Sequence, residues 1–147
     1  MLFRSTIPTL TTQASPAVTL GAAISDTATL SGGLAPTGTI TFTLFGPNNA
    51  TCTGAAIFTS TVPVSGNGTY PSASFTPTLP GTYRWIANYS GDANNAATAN
   101  ACNAANESVI VAPGAAAAIP TLSEWATIVL VAFLILCGLA GIRRRAM

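Results

Sequence analysis

Reactive side chains are few in this sequence, and their types narrow the chemistry before any pattern is read. It has no histidine and no lysine, and its charges are five arginines and four carboxylates, a formal net charge of +1. Without histidine there is no imidazole base and no histidine-containing metal site. Outside a terminal cluster the only arginines are Arg4 and Arg84, too few for a polyphosphate clamp or a basic nucleic-acid face. No cofactor and no nucleic-acid partner are therefore expected. The carboxylates Asp26, Asp92, Glu107 and Glu124 are scattered, and no set of nucleophile, base and orienting acid assembles from this composition. The chain reads as a non-enzyme without catalytic residues. The run Ser90-Gly91-Asp92-Ala93-Asn94-Asn95 is oxygen-rich, but one carboxylate is too little charge for tight calcium binding. It reads as a turn, and no metal site is expected.

Cysteine offers one further reaction. Cys52 and Cys102 are the two that precede the apolar tail; in an exported protein such an even pair predicts a disulfide. Cys137 lies within the tail, where it reads as a small apolar side chain.

The elements that would carry these residues are short and alternate with period two. Residues 38–45, GTITFTLF, place Ile40, Phe42 and Leu44 on one face and Thr39, Thr41 and Thr43 on the other. Residues 81–89, GTYRWIANY, place Tyr83, Trp85, Ala87 and Tyr89 together, with Arg84, Ile86 and Asn88 opposite. Weaker strand candidates are 17–20, 27–30, 57–64, 69–75 and 107–111, separated by Gly-, Pro- and Asn-rich turns. No helical period precedes residue 124. About seven short strands so spaced predict an all-β antiparallel sandwich. Leu79-Pro80-Gly81-Thr82-Tyr83-Arg84-Trp85 resembles the tyrosine corner of immunoglobulin-like folds, with Trp85 where antibody domains have their second cysteine. Together with ATLSGG, PTGTITFTLFGP, GNGTY and GTYRWIANYSGD, it makes the segment similar to a bacterial Ig-like repeat of surface proteins. Tyr83 and Trp85 are its fold signature, read as core packing.

The tail has a different character. Residues 126–142, ATIVLVAFLILCGLAGI, are apolar except for Thr127 and are followed by Arg143, Arg144 and Arg145. This pattern predicts a single transmembrane helix, with the domain outside and the arginines cytoplasmic. Immediately before it stand Ile119, Pro120, Thr121, Leu122, Ser123, Glu124 and Trp125. The order IPTLSEW, apolar span, arginine cluster resembles the IPTL-CTERM protein-sorting signal of Gram-negative bacteria, except that Ala126 stands where glycine is common. The resemblance implies an exported protein processed by an exosortase-type membrane protease. The implied route starts at the inner membrane as a precursor and ends at the cell surface or outside the cell.

The expected organisation is an N-terminal linker or repeat remnant (1–14), an Ig-like β-sandwich (15–113), an Ala-rich linker (114–118) and the sorting signal (119–147). The signal divides into motif 119–125, transmembrane helix 126–142 and basic tail 143–147. MLFRSTIPTL lacks an apolar h-region of about 7–15 residues, whereas such a tail needs export first. A fragment of a longer, tandem-repeat surface protein is the preferred expectation, the alternatives being a start placed too far downstream or a tail that itself directs insertion. The functional reading is a structural or spacer module of the cell surface. Its partners are the membrane, the sorting enzyme and neighbouring Ig-like repeats; the alternative is an adhesin that binds surface glycans.

Overall fold

Nine residues, Gly81–Tyr89, form the longest strand, and their alternation organises the domain. The computed structural model describes residues 5–115 and 126–132. It contains β1 (Thr9–Ala14), β2 (Val18–Thr19), β3 (Asp26–Ser31), β4 (Thr39–Phe45), β5 (Phe58–Pro63), β6 (Gly68–Pro71), β7 (Gly81–Tyr89), β8 (Thr98–Ala99) and β9 (Ser108–Ala112). One sheet has the order β2-β9-β7-β4-β5, with β8 also paired to β7; the other is β1-β3-β6. Strand β7 runs antiparallel to β4, from Ile40↔Tyr89 to Phe45↔Arg84, and antiparallel to β9, from Gly81↔Val111 to Arg84↔Ser108.

This register turns one face of each strand inward. Tyr83, Trp85, Ala87 and Tyr89 of β7 are buried beside Ile40, Phe42 and Leu44 of β4 and Val109 and Val111 of β9. Ala14, Ala28 and Leu30 of the smaller sheet complete the same core cluster. The alternation read from the sequence is thus the packing pattern of a two-sheet arrangement. Trp85 is enclosed, with the Phe58 ring edge-on at 6.1 Å and 88°. At the start of β7 the Tyr83 hydroxyl donates to the Leu79 carbonyl at 2.8 Å, which is the geometry of a tyrosine corner. A Cβ on Gly46 would lie 2.6 Å from Tyr83 Cδ1, so glycine lets the chain leave β4 directly over that ring.

Several expectations need correction. There are nine strands instead of about seven, and β2 pairs with β9 in parallel, so the sheets are not purely antiparallel. Residues 1–14 are not simply a linker: β1 pairs with β3 over six residues, from Thr9↔Ser31 to Ala14↔Asp26. The sequence TLTTQA concealed this strand because an edge position is held by main-chain bonds to its neighbour, and its inward row, Leu10, Thr12 and Ala14, is only partly apolar. The strand expected at 69–75 ends at Pro71; Phe75 instead makes a separate bridge to Ile24.

The transmembrane helix expected over 126–142 is also overturned. The described helix covers residues 126–132. Among the described residues no helix is long and apolar enough to cross a membrane. Single-span topology and inner-membrane anchoring by such a helix therefore have no support in the structure. Residues 133–142 and the basic tail lie outside the described residues, as do 116–125. The chain divides into two compact units, Met1–Gly114 and Ala115–Met147.

Replacing Tyr83 by phenylalanine removes one hydrogen bond and keeps the ring. The Tyr83→Phe variant is expected to lose about 1 kcal/mol, or roughly 4 °C in Tm, measured by thermal denaturation of the full chain.

Candidate functional site

Cys52 lies in the β4–β5 connection and Cys102 between β8 and β9. They form a disulfide with Cα atoms 5.9 Å apart. Beside it, Arg84 projects from β7; its Nε donates to Asn103 Oδ1, and its Nη1 donates to the Asn49 carbonyl at 3.3 Å. Asn103 in turn donates to the Ala50 carbonyl at 2.8 Å. The single arginine among the described residues is thus engaged in fastening two loops, with the disulfide as their covalent tie.

Beyond the other end of β7, Asp92 gathers the opposite loops. Its Oδ2 accepts from Thr37 N at 2.6 Å, Thr37 Oγ1 at 3.2 Å and the Tyr89 hydroxyl at 3.0 Å. Its Oδ1 accepts from Asn94 N at 2.7 Å and Asn95 N at 3.0 Å. These donors, with that of Thr37 foremost, hold the Asp92 carboxyl well below the usual carboxylate range. Asn95 is buried and reaches from Asp92 to the main chain of Leu34, whose N–H it accepts at 2.7 Å. Gly91 has φ +71°, and a Cβ there would sit 2.7 Å from Ala97 N. The oxygen-rich run is therefore a turn whose carboxylate is occupied by protein donors. Among the described residues no group of three or more Cys, Asp or Glu comes together to hold a metal.

Asp26 and Glu107 behave differently, because both are fully buried. Asp26 Oδ1 accepts from Thr27 N at 2.7 Å, while Oδ2 has no partner. Burial raises its pKa to about 6 against the opposing pull of the Thr27 and Gln13 main chain. No hydrogen bond of good geometry reaches either Glu107 oxygen, although the Thr12 and Asn100 side chains lie beside it. Burial raises its pKa to about 7, with the Asp26 charge adding to the rise. Hydrogen bonding from the Thr12 and Asn100 side chains favours its charged form and opposes that rise. Nothing in the sequence marks these two carboxyls, which are 81 residues apart by number (107 − 26).

The remaining expected site residues divide between the core and the tail. Tyr83 and Trp85 are core side chains. Ile119, Pro120, Thr121, Leu122, Ser123, Glu124 and Trp125, together with Arg143, Arg144 and Arg145, lie outside the described residues, as does Cys137. The chain matches the IPTL-CTERM motif over residues 117–146. Its C-terminus therefore carries that sorting signal, which suggests export to the cell surface. No curated protein and no solved structure matches the chain.

Two outcomes follow from these groups. Removing both sulfurs in Cys52→Ser/Cys102→Ser opens a 50-residue connection; loss of about 4 kcal/mol is expected on the chain-entropy model, seen as a Tm fall of roughly 10–15 °C. Asp26 and Glu107 bind protons more tightly folded than unfolded, so their destabilising effect is absent below the unfolded pKa values and grows as pH rises through about 6 and about 7. Melting curves from about pH 8 to about pH 5 are expected to shift upward on acidification, and Glu107→Gln is expected to flatten that rise.

Proposed function

We propose that this chain is a non-enzymatic structural or spacer module of a bacterial cell surface, exported and then processed at its C-terminal signal by an exosortase-type membrane enzyme. The observation that carries the reading is the IPTL-CTERM match over residues 117–146. In support, the domain ahead of the signal is closed by the Cys52–Cys102 disulfide, which suits an oxidising compartment. Arg84 and Asp92 bind the protein's own loops, leaving little charge to engage a substrate. The further reading of this domain as an Ig-like repeat draws on the Tyr83–Leu79 corner and the two sheets joined by one core.

The adhesin alternative finds no favouring observation among the described residues. Glycan sites usually offer an aromatic face, and here Trp85, Tyr83 and Tyr89 are enclosed in the core.

Processing is tested with the wild-type chain and Pro120→Ala in strains with and without the cognate sorting enzyme, followed by mass measurement of the product. The wild type is expected to lose its tail only where the enzyme is present, and the variant to keep it. Identical full-length wild-type protein in both strains would overturn the reading.

A further inference from the structure

Three side chains that share no sequence neighbourhood meet inside the domain. Thr12 comes from β1, Asn100 from the segment after β8, and Glu107 from the residue before β9. Asn100 Nδ2 stands 3.2 Å from Thr12 Oγ1. The carboxamide oxygen of Asn100 accepts the Ala87 main-chain N–H at 2.5 Å. Glu107 is 0% exposed; the Thr12 and Asn100 side chains stand against its carboxyl, but no hydrogen bond of good geometry satisfies either oxygen. A network kept only for hydrogen bonding would be expected to satisfy that carboxylate, since burying it unpaired costs several kcal/mol. The constellation instead supplies a hydroxyl nucleophile, an acyl group whose oxygen is already polarised by a main-chain donor, and a buried carboxyl able to exchange a proton.

We propose that Thr12 and Asn100 react with each other once, forming an intramolecular ester with Glu107 as the proton carrier. The Thr12 Oγ1 atom forms a bond to Asn100 Cγ, and the Cγ–Nδ2 bond breaks. The hydroxyl proton passes through Glu107 to Nδ2, which leaves as ammonia. Atoms and charge balance without oxidant, water or added co-reactant. The acyl carbon is one bond beyond Nδ2, and attack requires the hydroxyl to leave its hydrogen bond with Nδ2 and move over the face of that carbon. Ala87 N–H faces the oxygen that becomes negative in the tetrahedral intermediate, where a fixed donor is most effective. Holding the two groups together replaces a bimolecular encounter, and departing ammonia is protonated and diluted, which draws the reaction forward. The product would tie the first strand to the segment entering the last, across 88 residues. Together with the disulfide, it would close the domain by two independent covalent bonds. This step does not rest on the sorting reading, because it needs only the folded domain.

The arginine positions make the test direct. The chain has no lysine, and between Thr12 and Asn100 the only arginine is Arg84. Trypsin therefore places Thr12 and Asn100 in different peptides once the full chain is unfolded and its disulfide reduced. The expected wild-type result is one joined peptide, lighter than the two separate peptides combined by about 17 Da for ammonia, and split by hydroxylamine as an ester is. Thr12→Val, close to isosteric, is expected to give two unmodified peptides, and Glu107→Gln to give mostly unjoined product. Two separate wild-type peptides of full mass would overturn the proposal. So would ammonia loss confined to the Asn100 peptide, which indicates succinimide formation, or a joined peptide that persists in Thr12→Val.

Discussion

Burial of the inward row of β7 is the constraint on which the rest of the domain depends. Tyr83, Trp85, Ala87 and Tyr89 are withdrawn from water together, and large aromatic side chains dominate the apolar free energy of a core this small. To enclose them, β7 must be flanked on both sides and covered from above. Strands β4 and β9 supply the flanks through complementary registers. The inward residues of β1 and β3 belong to the same core and supply the cover. A second sheet is thus a consequence of one strand's side-chain row.

Charge is scarce in the chain, and the described charged groups act close to home. Arg84 and Asp92 stand near opposite ends of β7 and collect hydrogen bonds from loops that converge there. Arg84 fastens the Asn49 and Asn103 loops beside the disulfide, whereas Asp92 gathers Thr37, Asn94 and Asn95. The same strand that centres the core therefore also sets where its loops are pinned. Elsewhere threonine and asparagine side chains provide the exposed polarity, as in the Thr29–Thr69 pair across β3 and β6.

Asp26 and Glu107 are exceptions to that economy. Burying a carboxyl without full hydrogen bonding opposes folding and favours the protonated form. Their retention inside the domain is what directs attention to Thr12 and Asn100. A buried acid near a hydroxyl and a polarised carboxamide is chemistry that composition alone concealed: its members are common residue types separated by long stretches of chain.

Period-two alternation made β4 and β7 legible down to the residues that face inward, because a pleated strand maps sequence parity directly onto its two faces. The cysteine pair and the IPTLSEW tail were legible for a related reason: each is a local chemical identity that needs no neighbour to be recognised. Strand β1 and the parallel pairing of β2 with β9 were decided otherwise. Main-chain pairing carries no side-chain signature at an edge. The contacts of Asp92 and the meeting of Thr12, Asn100 and Glu107 belong wholly to the tertiary structure. Such proximity arises only when distant segments are brought together by the burial of a shared core.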